Sequence, residues 1–198
     1  MLPRPRIGLA ETVGLARDPS PSGRRTFGAL DVGRVRYVNA EGARLETVLV
    51  TGLRAGLDLE ARGPFRRPPP LEIHVEASAR PGRSRTSSLE PRRVEGRAAL
   101  LAVMNAQHDS ADRVAPRAVP HDGLFDVLVG FGDARDAASW KRRMRRGEHV
   151  PDPAITEWLA DRVSVVADRP FPAVLDGRVL EMRSFEIEIE RTPIGVKL

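Results

Sequence analysis

The stretch FEIEIE at residues 185–190 alternates apolar and acidic side chains along its whole length. Successive side chains of a β-strand point to opposite faces, so this pattern predicts a strand with one buried and one charged face. The stretch LEIHVE at residues 71–76 has the same period, and so have the apolar positions of residues 163–167 (VSVVA). These stretches predict half-buried strands and make sheet the main element of the chain.

Most of the remaining segments also have strand character. Residues 98–105 (AALLAVMN) are almost wholly apolar, which fits a strand buried on both faces or a short helical segment. The best helix is predicted at residues 133–146 (DARDAASWKRRMRR), with Gly147 as its C-terminal cap. Further strands are expected at residues 32–38, 45–50 and 123–130, a turn or short bent element at 51–61, a break at 63–70, and a hairpin turn at Asp176-Gly177.

The order of these elements predicts the fold class. About eight to ten strands with one or two helices favour a mainly β (α+β) fold, an antiparallel β-sandwich or barrel with a helical excursion. Residues 1–30 are rich in Pro, Gly, Arg and Ser and are expected to form a short helix and a loop. Residues 31–198 are expected to form the domain itself.

Composition excludes several function classes. The chain has 198 residues, a formal net charge of +5 and no cysteine, which excludes disulfide scaffolds, thiolate metal sites and cysteine catalysis. No segment has the length of a membrane span or the apolar core of a signal peptide, so we expect a cytoplasmic protein. All basic residues but Lys141 and Lys197 are arginine, and they are scattered among acids. This scatter favours a compositional bias over a nucleic-acid partner.

The sequence contains no glycine-rich phosphate loop and no paired-histidine metal spacing. Two loops nevertheless contain candidate aspartates. Asp122 and Asp126 are four residues apart and could contribute oxygen ligands to a hard cation, although an Asp-Gly turn with an exposed aspartate is the simpler explanation of the spacing. Asp176 follows three apolar residues and could act as a general base on a hydroxyl, or it could be only the first residue of a hairpin turn.

The order of these segments resembles the C-terminal domain of bacterial diacylglycerol kinase-like lipid kinases, a family that includes sphingosine and ceramide kinases. The resemblance covers about residues 11–198, and its most specific part is the APxA…DGLxD block. The matching pieces are Ala29–Gly33, Gly56–Asp58, Asn105, Ala115–Ala118, Asp122–Val127, Gly147–His149 and Leu175–Gly177.

This resemblance implies a β-sandwich that forms one wall of an active-site cleft, with a GGDGT nucleotide domain as the other wall. It implies transfer of the ATP γ-phosphoryl group to a lipid hydroxyl with Mg²⁺. Asp176 matches the acidic residue that acts as base for the lipid hydroxyl. Asp122, the carbonyl of Leu124 and Asp126 match a magnesium-supporting loop. Residues 1–30 are then the remnant of the inter-domain segment.

The sequence also departs from the family pattern. It contains no GGDGT motif, residues 109–112 (DSAD) stand where the family has a glycine triplet, and Arg178 replaces the acidic residue after Leu-Asp-Gly. We therefore expect a substrate-side domain that is inactive alone or works with a separately encoded nucleotide domain. A non-catalytic lipid- or protein-binding module is the alternative, an accidental match to an ordinary β-sandwich also stays open, and a homo-oligomer is compatible with each of these.

The predicted helix has a strongly basic end. Trp140, Lys141, Arg142 and Arg145 are candidates for contact with a lipid or an anionic membrane surface, since basic residues near such a surface contribute about 1 kcal/mol each. This contact would place the protein at the inner face of the membrane as a peripheral protein. A solvated helix end is the simpler alternative.

Overall fold

The computed structural model describes residues 27–56, 71–78, 91–190 and 194–197. They form eleven strands and one helix. The strands are β1 (Phe27–Leu30), β2 (Gly33–Asn39), β3 (Arg44–Leu49), β4 (Gly52–Gly56), β5 (Leu71–Ser78), β6 (Arg92–Met104), β7 (Phe125–Phe131), β8 (Ile155–Ala160), β9 (Arg162–Leu175), β10 (Arg178–Ile189) and β11 (Ile194–Lys197), and the helix is α1 (Ala134–Met144).

Nine strands form one antiparallel sheet in the order β3-β2-β10-β9-β4-β6-β7-β8, with β5 paired to both β6 and β9. The two longest strands make this branching possible. The first half of β9 pairs with β5 and its end pairs with β4, and β6 divides its length between the same two strands. The four strands therefore close on one another like a barrel. The remaining two strands, β1 and β11, form a separate antiparallel pair.

The main core lies on the inner face of this sheet. The alternation of β10 is confirmed, because Phe185, Ile187 and Ile189 are buried in this core. Ile73 and Val75 of β5 and Val163 and Val165 of β9 belong to the same cluster. Full burial of each such side chain contributes about 1.5–3 kcal/mol, so this face supplies most of the stability of the fold.

A second core lies between the sheet and α1. Trp140 and Met144 of α1 pack against a cluster that includes Leu100 and Leu128 on the outer side of β6 and β7. Asp133 caps the helix in a reciprocal capping box with Asp136, and Gly147 has a φ of +71° beyond its end. The predicted helix at 133–146 is confirmed, although the helix is shorter than predicted.

The prediction of a mainly β sandwich-like fold is confirmed, and the run at 98–105 is a strand. The segment 51–61 was expected to turn or bend, but residues 52–56 of it form β4 between β6 and β9. β1 begins at Phe27, and the domain boundary expected at residue 31 stays a prediction. The short helix expected within residues 1–26 and the break at 63–70 lie outside the described residues. No helix in the described ranges is long and apolar enough to cross a membrane.

Candidate functional site

Asp176 occupies the tight hairpin turn between β9 and β10. Its φ is +46° and that of Gly177 is +80°, as in a two-residue turn with both central residues in the left-handed region. The turn presents the Asp176 carboxylate to the chain between β3 and β4. Oδ2 accepts a hydrogen bond from the backbone N–H of Val50 at 2.8 Å. Oδ1 accepts three, from the Thr51 N–H at 2.8 Å, the Thr51 hydroxyl at 2.7 Å and the Gly52 N–H at 3.0 Å.

Three successive backbone N–H groups therefore converge on one carboxylate. Such a run of N–H groups forms a small concavity that favours an anion. The Asp176 N–H donates in return to the Gly52 carbonyl at 3.0 Å. Arg178, which follows this turn, is exposed and forms no ion pair with Asp176. The side chain of Asp176 is rigidly positioned by the main chain.

Asn105 fixes the same 50–52 segment from the other side. Its side-chain Nδ2 donates to the Val50 carbonyl at 2.9 Å and to the Asp31 carbonyl at 2.7 Å. Its backbone N–H and that of Ala106 both donate to the Thr51 carbonyl. The side chain is 1% exposed, and its Oδ1 has no hydrogen-bond partner among the described residues. Asn105 thus joins the end of β6 to the segment that holds Asp176.

Asp31 connects this group to the loop of the APxA…DGLxD block. Its buried Oδ2 accepts a hydrogen bond from the Gly123 N–H at 2.6 Å, and its own N–H donates to the Pro120 carbonyl at 2.8 Å. The predicted residues Asn105, Asp176 and the 120–124 loop therefore belong to one hydrogen-bonded network, which we call the motif network. Its members are Asp31, residues 50–52, Asn105, residues 120–124 and Asp176.

The predicted magnesium loop lies at the edge of this network. Asp122 Oδ1 accepts the Leu124 N–H at 3.1 Å, so one carboxylate oxygen is already used to shape the loop. Asp126 lies at the start of β7, opposite Leu159 of β8, and the side chain of Leu124 is buried. In the part of the chain that the structure describes, no three His, Cys, Asp or Glu side chains are close enough to hold a metal ion. The role of Asp122, Leu124 and Asp126 in supporting Mg²⁺ stays a prediction.

The segment that replaces the expected glycine triplet is tied to β4. Arg54 Nε lies 2.5 Å from Asp109 Oδ2, and Arg54 Nη1 lies 3.2 Å from Asp112 Oδ2. Asp109 and Asp112 also exchange two backbone hydrogen bonds. Burial raises the pKa of Asp109, and the Arg54 guanidinium opposes that rise. One arginine thus pairs with both acidic residues that depart from the family pattern and offsets one of their two negative charges.

His149 has a structural position. It is fully buried, and its Nε2 is 2.9 Å from the Val114 carbonyl, which can only accept a hydrogen bond, so Nε2 carries the proton. Burial lowers the pKa of His149, with the Arg143 charge adding to the effect. The neutral imidazole joins the segment after α1 to the segment that precedes the APxA block.

The structure separates the four candidates for membrane contact. Trp140 is 2% exposed and packs in the second core, with Nε1 3.3 Å from Asp152 Oδ2, so the expectation that it contacts a membrane is wrong. Lys141 is half-buried, whereas Arg142 and Arg145 are exposed on the outer side of α1. The indole is buried because Gly130 of β7 leaves room for it. A Cβ atom at Gly130 would lie 2.7 Å from the Trp140 ring.

Comparison with known proteins decides the family. The model of the YegS C-terminal NAD kinase beta sandwich-like domain matches residues 72–196, which is more than half of the chain. The chain belongs to this family. The matched range includes Asn105, the 120–124 loop and Asp176. No match was found among the curated proteins.

Solved structures of the same fold are named as diacylglycerol kinases, a resemblance that the sequence motifs already suggested. Two of them, from Bacillus anthracis strain Sterne, superpose with TM-scores of 0.55 and 0.53 at 13% and 12% sequence identity and match 83% and 84% of this chain. A third from the same strain has a TM-score of 0.54 at 12% identity and matches 91% of this chain. The chain spans 52–62% of the length of these three proteins. At this identity the likeness establishes the fold.

Residue types alone did not reveal two members of the motif network. Asp31 was noticed only as part of a matching stretch, and Thr51 carried no signal. Thr51 acts mainly through its backbone N–H and carbonyl, which any residue possesses. A hydroxyl next to Gly52, at the end of a strand, was the one feature that could have indicated it.

Proposed function

We propose that this chain supplies the substrate-side half of a lipid kinase-family catalytic unit that phosphorylates a lipid hydroxyl. The observation that carries the proposal is the motif network, in which an aspartate of the Leu-Asp-Gly turn is held by three backbone N–H groups in a chain of this family. ATP and Mg²⁺ would be bound chiefly by a nucleotide domain outside these 198 residues. The GGDGT motif that would bind the nucleotide is not part of the sequence.

Asp176 is the proposed general base. Oδ1 accepts three hydrogen bonds, whereas Oδ2 accepts only the one from Val50. Oδ2 is therefore the less crowded oxygen, and a substrate hydroxyl would approach the carboxylate there. As the hydroxyl oxygen bonds to the γ-phosphorus and the bond to the leaving ADP breaks, the hydroxyl proton would pass to Oδ2. A base within about 2.6–3.2 Å of the hydroxyl oxygen can take this proton.

We further propose an anionic membrane surface as the place where the substrate is met. Arg142, Arg145 and Arg146 are exposed at the end of α1 and form no ion pair with another described residue. Arg143 is different, because it pairs with Asp152 at 2.6 Å. With Trp140 buried, this surface would bind by charge and not by insertion of an aromatic side chain.

The need for a second domain can be tested directly. The 198-residue chain is incubated with labelled Mg-ATP and mixed lipid vesicles, alone and with an added GGDGT-containing nucleotide domain. We expect labelled lipid only when both components are present, and none from the nucleotide domain alone. Labelling by the chain alone would contradict the requirement for a second domain. No labelling with any such domain, together with lipid that co-purifies with the chain, would favour the non-catalytic binding module.

A further inference from the structure

The sheet has an open edge at β3. In the described part of the chain, β3 pairs only with β2 and ends the strand order. Four large apolar side chains are exposed in these ranges, and two of them, Leu45 at 43% and Val48 at 55%, lie on this six-residue strand. An exposed edge strand with apolar side chains is a template for pairing with another strand. We propose that β3 pairs antiparallel with β3 of a second copy of this chain.

The backbone groups that would form this pairing can be identified from the neighbouring ladders. The Asn39 N–H donates to the Ala43 carbonyl, so the odd-numbered residues of β3 direct their N–H and C=O groups toward β2. The Glu190 N–H donates to the Val32 carbonyl on the other side of β2, which fits the same alternation. Arg44, Glu46 and Val48 therefore direct their N–H and C=O groups away from the sheet.

In a symmetric dimer the two-fold axis passes through one residue of β3, and each choice of residue gives a different pairing register. The registers can be compared by the side chains that they place opposite each other. Centring on Glu46 would place two carboxylates opposite each other, and centring on Thr47 would place Glu46 opposite Val48. Centring on Leu45 places Leu45 of one copy opposite Leu45 of the other, and Arg44 opposite Glu46 twice. Opposite charges and apolar pairs stabilise directly opposed positions, whereas like charges destabilise them. The sequence of β3 is thus self-complementary in one register, as a symmetric dimer requires.

The two charged residues are accessible for these contacts. Arg44 is exposed and has no ion pair with any other residue that the structure describes. The Glu46 side chain is 58% exposed and lies 3.5 Å from Arg36 Nε and 3.8 Å from Arg34 Nε, which are long contacts for an ion pair. In the register centred on Leu45, Arg44 and Glu46 also exchange backbone N–H···O=C bonds between copies, because both direct these groups to the open edge.

The test is sedimentation velocity over a concentration series, which requires no enzymatic activity and so stands apart from the proposed function. We expect a monomer–dimer equilibrium for the unaltered chain. Leu45→Asp and Leu45→Lys should each weaken the dimer at least about tenfold, since like charges would face each other at the two-fold axis. An equimolar mixture of the two variants should associate again, because opposite charges then meet at the same position.

Val48→Asp is the matched control, because Val48 is at least as exposed as Leu45 but lies outside the central contact. In this register Val48 faces Gly42, which belongs to the turn between β2 and β3. Val48→Asp should leave the dimer nearly unchanged. A chain that is monomeric at every concentration would overturn the proposal. So would a dimer that resists both Leu45 variants, or variants that do not associate when mixed. Circular dichroism of each variant would establish that it is folded.

Discussion

Single buried polar residues hold the site together in this protein. Asn105 and Asp31 each join two segments that are far apart in sequence, and His149 joins a third pair. A buried polar group that loses its partner costs about 1–3 kcal/mol, so each of these residues fixes the relative position of the segments it connects. Their effect on function would therefore be to position other groups.

The stability of the protein should fall in mild acid because of His149. Its folded-state pKa lies below the ordinary value of 6.5 because the side chain is buried, so the unfolded chain takes up a proton that the folded chain resists. The contribution of His149 to the free energy of unfolding is fully present above about pH 6.5 and is lost as the pH falls toward its folded-state pKa. The buried Nδ1 has no partner among the described residues to receive the new proton's hydrogen bond. Urea unfolding between pH 7.5 and pH 5 would measure the decline.

His149→Gln is the control for this prediction, since an amide keeps a donor for the Val114 carbonyl but does not titrate. Asp112, Asp152 and Arg143 surround the imidazole and remain in both proteins. The unfolding free energy of the variant should fall less steeply with decreasing pH than that of the unaltered chain. Two parallel pH profiles would mean that other groups cause the loss.

Among the elements, α1 depends on the absence of a side chain in the strand beneath it. Gly130→Ala would place a Cβ atom 2.7 Å from the Trp140 ring and 3.1 Å from Leu100 Cβ. Overpacking of this kind costs about 1–3 kcal/mol of unfolding free energy, which denaturant titration would detect. In a Trp140→Phe background the same substitution should cost less, because the smaller ring leaves room. Additive losses would show that the contact is not the cause.

The outer face of α1 is where the membrane proposal can be tested. Reversing Arg142 and Arg145 to glutamate should weaken binding to vesicles that contain phosphatidylserine by at least about tenfold, with little binding to neutral vesicles in any case. The matched control reverses Arg92 and Arg97, two exposed arginines of β6 that give the same change in net charge. An equal loss in both double variants would show that net charge, and not the helix end, controls binding.

For the whole molecule, the sequence predicted those elements whose side chains follow a recognisable pattern. The alternation of apolar and polar side chains predicted β5 and β10, and the sequence also predicted the Asp176-Gly177 turn and the Gly147 cap. β4 was missed because its two glycines indicate a turn, while its position between β6 and β9 comes from tertiary pairing. The burial of Trp140 was missed because it depends on Gly130, on another element.

The site was predictable only in part for a related reason. Asp176 and Asn105 stand out as polar residues at the ends of apolar strands, but their main partners are backbone groups of residues 50–52. Backbone donors and acceptors are present at every position, so no sequence pattern marks the ones that converge. Only the fold brings β4, the end of β6 and the β9–β10 turn to one place.

The decisive measurement for the role of Asp176 is the rate of phosphate transfer to lipid by the chain completed with a nucleotide domain. In this assay Asp176→Asn is compared with Asp168→Asn. Asp168 is a surface aspartate, 44% exposed and 3.6 Å from Arg169, so it is a control for the same chemical change. Asp176→Asn should lower the rate about 10²–10⁴-fold, as removal of a general base does, and Asp168→Asn should leave it almost unchanged. A folded Asp176→Asn protein that retains the full rate would contradict the proposed role of Asp176.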